Sequence, residues 1–197
     1  MTTLAEPSHP KCFGLWPSIL GYSALLFLIY GIASFLVEAY SGSCMFVIPT
    51  YFYALVVTLA ILKLKRFWVG TALFLLFIPL GVFMDYIGDW VVDKNLIGPW
   101  YALGWAPVFL GFGFAADLAY RFAPARWHAR WRAVAVGAAF GLAFFLLVLF
   151  ALTTFYPPSG NAGHLMFFTA GLPFSLPWIV ITSGFGGYTA YALSEGV

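Results

Sequence analysis

The sequence predicts an all-α integral membrane protein, a bundle of six transmembrane helices with both termini in the cytoplasm. Composition is the first observation. Of 197 residues, 63% are hydrophobic and 8% are charged, whereas a soluble domain carries about 45–50% apolar and about 25% charged residues. That much apolar surface cannot be hidden in one globular core, so the surrounding solvent is lipid. The second observation is six separate apolar runs, each near the roughly 20 helical residues that a hydrocarbon core of about 30 Å requires. The third is that lysine and arginine fall almost entirely in alternate connections.

Residues 1–16 form a short N-terminal segment. Its opening, "MTTLAEPSHPKCFGL", is polar and proline-broken, which predicts that no signal peptide is cleaved from it. Residues 17–197 read as one transmembrane domain. The six runs cover Pro17–Tyr40, Met45–Leu62, Phe67–Asp89, Leu96–Tyr120, Arg132–Phe155 and His164–Leu193. They are continuously apolar, without the period-two alternation of barrel strands, and so predict helices. The connections "SGSC", "GP" and "PPSGN" carry turn residues and are short, so consecutive helices are antiparallel neighbours.

Two runs depart from simple spans. Gly104, Pro107, Gly111 and Gly113 give the fourth a face for close packing. In the sixth, Pro173 and Pro177 stand one helical turn apart. Each proline removes a backbone donor and crowds the carbonyl four residues earlier, which predicts a kink. Gly184, Gly186 and Gly187 then allow close backbone approach. Broken helices of this kind line substrate sites in transporters.

Lys11, Lys63, Lys65, Arg66, Arg121, Arg126, Arg130 and Arg132 all fall on one side of this topology, and only Lys94 falls on the other. Basic connections stay in the cytoplasm, so the chain is oriented N-in and C-in, in a plasma or inner membrane. Trp16, Tyr40, Trp68, Trp90, Trp100, Trp127, Trp131 and Tyr156 gather near run ends as an interfacial aromatic belt. Cys12 and Cys44 flank the first run, hence lie on opposite sides and cannot pair; they read as small apolar fillers. The net charge of +2 points to no nucleic-acid partner.

Candidate chemistry centres on "GVFMDYIGDWVVDKN", where Asp85, Asp89 and Asp93 stand four residues apart. On a helix such residues share a face, with neighbours about 5–6 Å apart. Asp85 lies roughly 27 Å along its run at the helical rise, just inside the outer boundary. Asp89 reaches the headgroups and Asp93 reaches water. Glu38, at the outer end of the first helix, and His164, at the start of the sixth, come to a similar depth. Asp85, Asp89, Glu38 and His164 are therefore the candidate ligand-binding residues. Carboxylates with an imidazole suit a divalent metal ion, for which Asp85, Glu38 and His164 are the candidate ligands, or a cationic solute, or a proton relay.

"GVFMDYIGD" also fits Gly-x3-Asp-x3-Asp, half of the signature of CDP-alcohol phosphotransferases. The other half needs acids on the preceding segment, and "LKLKRFWVGTALFLLFIPL" has none. That family's site faces the cytoplasm, opposite to Asp85, and the assignment is rejected. At the inner end, Asp117 and Arg121 are spaced for a local ion pair. The run "RFAPARWHARWR", Arg121–Arg132, suits anchoring to anionic headgroups or docking of a membrane or cytoplasmic partner.

Three functions follow, and an enzyme is the least favoured. The first is binding or transport of a small polar or cationic solute through an outward-facing acidic pocket. In size, six helices and inward termini the chain is similar to the substrate-binding subunits of energy-coupling-factor vitamin transporters, without a shared motif. That resemblance implies an ATPase partner complex. The second is an accessory subunit of a larger membrane complex. The third is an intramembrane enzyme acting on a lipid or terpenoid by carboxylate and histidine chemistry.

Overall fold

The computed structural model describes residues 14–40, 46–88, 104–154, 168–169 and 172–196, with side chains for all of these except 34–40 and 84–88. The described chain is helical, without a strand. Its long helices are α1 (Leu15–Tyr40), α2 (Val47–Leu64), α3 (Val69–Gly88), α4 (Ala106–Phe122), α5 (Ala129–Thr154) and α6 (Leu172–Glu195). Each falls within or close to one of the six apolar runs. Within these, Leu15–Ala33, Val47–Leu64 and Ala129–Thr154 are long and apolar enough to cross a membrane.

Helix α6 begins at Leu172, so Pro173 occupies its first turn, where a missing N–H removes no intrahelical bond. Pro177 lies inside α6, and the helix continues past it to Glu195. Pro79 is likewise internal to α3. The residues between His164 and Leu172 lie outside the described set, apart from helical Phe168 and Thr169.

Helix α2 packs against each of the other five, and α1, α3, α4, α5 and α6 form an arc around it in that order. Its inward positions are small or β-branched, among them Thr50, Ala54, Val56, Val57, Thr58 and Ala60. Such side chains let a central helix accept neighbours on several sides.

The arc is held in two ways. Between α5 and α6, backbones touch. A Cβ added at Gly137 would strike the Ser183 carbonyl, and one at Gly187 would strike the Ala133 carbonyl. One at Gly141 would come within 2.5 Å of Ser183 Oγ. Gly186 faces α2 instead, where an added Cβ would stand 2.5 Å from the Tyr51 carbonyl oxygen. Tyr51 Oη also donates to Thr189 Oγ1 at 3.0 Å, and Lys63 Nζ donates to the Ser194 carbonyl at 2.9 Å. Of the glycines assigned to close packing in the fourth run, Gly111 meets Leu147 and Gly113 meets Gly70, while Gly104 has open space around it.

Elsewhere rings fill the interior. Tyr30 on α1 meets Phe77 on α3 at 5.3 Å, and Phe77 meets Phe109 on α4 at 5.1 Å. Phe112 meets Phe144 on α5 at 5.3 Å, Phe145 meets Phe168 at 5.2 Å, and Phe168 meets Phe46 at 5.4 Å. Edge-to-face and tilted contacts of this sort contribute about 0.5–1.5 kcal/mol each beyond their buried area. The expected aromatic belt covers different residues: Trp16, Trp68, Trp127 and Trp131 are all exposed. Tyr40, Trp90, Trp100 and Tyr156 lie outside the described side chains.

Candidate functional site

The helix pairings divide the bundle into a basic and an acidic end. The basic end gathers the C-termini of α2, α4 and α6 and the N-termini of α3 and α5. Contacts across it include Lys63 with Ser194, Arg121 with Phe67, and Arg132 with the Tyr120 carbonyl. All seven described lysine and arginine residues sit there. At the opposite end α1 and α3 finish with Glu38 and Asp85 in their last turns.

The levels of those two acids follow from how α1 and α3 run. Trp16, Ser23 and Tyr30 meet Trp68, Leu73 and Phe77 in that order, so the two helices are parallel. Glu38 lies eight residues beyond Tyr30, and Asp85 lies eight residues beyond Phe77. Eight residues span about 12 Å of helix, which brings both positions to one level on adjoining helices. Their side chains are outside the description, as are Asp89 and His164 altogether.

Asp117, at the basic end, has a structural role. Its Oδ1 accepts the Gly70 N–H at 2.8 Å, and its Oδ2 accepts the Thr71 N–H at 2.8 Å and the Thr71 hydroxyl at 2.7 Å. The residue is fully buried. The first N–H groups of a helix have no intrahelical partner, and the helix dipole favours an anion there. Asp117 on α4 therefore caps α3 from across the interface. The crossing beneath it is a backbone contact, since a Cβ at Gly70 would stand 2.7 Å from the Gly113 carbonyl oxygen.

This corrects the expected Asp117–Arg121 ion pair, which does not form among the described residues. The carboxylate is saturated by α3, and the Arg121 guanidinium lies instead 5.5 Å from the centre of the Phe67 ring. Gly70 and Thr71 were missed as partners because they lie far away in sequence. A signal did exist. The entry to α3, "RFWVGT", has no Ser, Thr, Asp or Asn at the positions that normally cap a helix, so its donors needed an acceptor from elsewhere.

Three further polar atoms are buried without a hydrogen-bond partner among the described residues: the Thr58 and Ser183 hydroxyls and the Arg132 Nε. No three His, Cys, Asp or Glu side chains come together among the described residues; the side chains of the proposed metal set, Asp85, Glu38 and His164, lie outside the description. Comparison with protein-family models, curated proteins and solved structures yields no match.

Proposed function

We propose that the chain is a multi-pass membrane protein that binds or transports a small polar or cationic solute at its outward, acidic end. The membrane reading rests on the polarity of the surface. Outward faces carry Leu20, Leu28 and Ile32 on α1, Leu75 and Phe83 on α3, and Leu142, Leu146 and Phe150 on α5, all exposed. On α6, Phe174, Trp178, Ile181, Phe185 and Tyr188 form an exposed stripe, with Phe174 74% accessible. Soluble monomers rarely leave contiguous apolar patches beyond a few hundred Å² uncovered, whereas lipid covers such surface without cost. Asp117, Ser23, Thr50 and Thr58 are buried inside, the arrangement expected when the solvent is hydrocarbon. Six spans with both termini in the cytoplasm then follow from the cations at one end.

The observation that carries the binding reading is the common level of Glu38 and Asp85 on parallel neighbouring helices. Two carboxylates at one level near the membrane boundary repel unless a cation, a proton or water lies between them. Asp89 and His164 extend the same proposed site, and a divalent metal ion is one ligand it would suit. The test is a thermal-shift screen of purified protein against amines, vitamins and divalent metal ions, followed by calorimetry. A saturable ligand whose binding is lost in Glu38→Gln and Asp85→Asn is expected. Unchanged binding in both variants, or no saturable ligand in the screen, would overturn the assignment.

A second reading, an accessory subunit of a larger membrane complex, is favoured by the α6 stripe, which suits lateral contact with another membrane helix. Stoichiometric co-purification of a partner in mild detergent, lost in Phe185→Ala/Tyr188→Ala, would support it. A lone monomer with intact solute binding would dismiss it.

A further inference from the structure

We infer that the basic end holds a binding site for an anionic phospholipid headgroup, built from Lys65 and Arg66 after α2 and Arg121 at the end of α4. The inference rests on the membrane reading and is independent of the acidic site. Lys65 has a left-handed φ of 51°, and its N–H closes α2 on the Ile61 carbonyl at 2.9 Å. A left-handed conformation costs a non-glycine residue roughly 1–2 kcal/mol. Here it ends α2 abruptly and leaves Lys65 and Arg66 exposed in succession. Next in the chain comes Phe67, and its ring holds the Arg121 guanidinium at 5.5 Å. Two connections far apart in sequence thus place three cations on one small surface.

None of the three has a carboxylate partner among the described residues. The acid one turn before Arg121 is Asp117, and both its oxygens are engaged by Gly70 and Thr71. Glu195, which ends α6 at the same end, is the other described acid there and forms no ion pair with these cations; the two guanidinium groups bring the planar, forked donors that match phosphate oxygens.

The surroundings favour a lipid over a free anion. Trp16 and Trp68 lie 5.6 Å apart at the same end and are exposed, as are Phe67 and Phe122. Such rings settle at headgroup depth and offer apolar surface to the glycerol and upper acyl chain. Arg126 and Arg130, beside Trp127 and Trp131, continue the basic surface along the α4–α5 connection.

The test uses the full chain in phosphatidylcholine nanodiscs with and without phosphatidylglycerol, together with native mass spectrometry of lipid retained from detergent. Phosphatidylglycerol should be retained and should raise the melting temperature. Arg66→Gln/Arg121→Gln should lose most of that retention and of the shift, whereas Arg126→Gln/Arg130→Gln should keep most of both. Equal losses in the two double variants would mean diffuse attraction and overturn the site. Equal stabilisation by inorganic phosphate in detergent would assign it to a free anion and overturn the lipid. Should the first variant fold poorly in phosphatidylcholine, Lys65→Gln/Arg66→Gln keeps the Arg121–Phe67 contact and should show the same loss. Alkaline carbonate extraction separates the two failures. Protein released from the membrane pellet would sink the membrane reading, while protein that stays without preferring phosphatidylglycerol would sink only the lipid site.

Discussion

Helix α6 meets α5 backbone to backbone, and α1 meets α3 through its side chains. In the first seam, glycines at Gly137, Gly141 and Gly187 bring the main chains so close that a single added carbon would collide with a carbonyl or with Ser183. In the second, contact is made by Trp16, Ser23 and Tyr30, and Gly21 on α1 has open space around it. The difference teaches where this bundle can give. On the membrane reading proposed above there is little hydrophobic drive between helices, so association depends on packing and on interhelical hydrogen bonds. A backbone seam has no rotamers with which to absorb a change. A side-chain seam has several. The block of α2, α5 and α6 is thus the rigid part, and α1 is the element best able to shift against it.

The contrast breaks first at the glycines. Gly187→Val should abolish the folded bundle or cost upwards of about 3 kcal/mol, because overpacking against backbone cannot be relieved by side-chain movement. Folded yield and melting temperature in detergent check this, and a near-native melt would mean the seam is looser than described. The next largest effect belongs to the α3–α4 crossing. Asp117→Ala leaves two N–H groups and one hydroxyl without their acceptor, for a loss of about 3–5 kcal/mol. Arg121→Gln, lacking any ion pair with Asp117, should leave the melt within about 1 kcal/mol of wild type.

The smallest effects sharpen the contrast most. Ser23 donates to the Leu73 carbonyl at 3.1 Å across the α1–α3 seam, so Ser23→Ala should destabilise by about 0.5–1.5 kcal/mol. Ser183 has no described partner within the α5–α6 seam, so Ser183→Ala should be neutral or slightly stabilising. Equal losses at the two serines would overturn the view that the Ser183 hydroxyl makes no hydrogen bond in the α5–α6 seam.

How much of this could be read in the sequence varied by element. The six helices were legible because length and apolarity are local properties, and each run contains most of one helix. The gathering of cations at one end was legible because antiparallel neighbours bring alternate connections together. Rotation about each helix axis was not, and rotation decides contacts. "GAAFG" (Gly137–Gly141) reads as a pair of glycines one turn apart, but nothing local says that Ser183 and Gly187 oppose them. Asp117 shows the same limit. Its spacing from Arg121 was plain, and its true partners were on another helix. Glu38 and Asp85 were matched in depth by counting residues, a count that says nothing of which way either side chain turns. The course of their side chains, and all of Asp89 and His164, lie outside the described residues.

The position of α2 also bears on the order in which the bundle can be assembled. A chain made from its N-terminus delivers the central helix second, before four of the five helices that surround it. Its partners Gly186 and Thr189 belong to α6, the last of the six to emerge. Until then the face of α2 carrying Tyr51, Ala54 and Leu55 lacks the α6 surface that covers it in the finished bundle. The post stands before the wall, and the final helix to enter is the one that locks it.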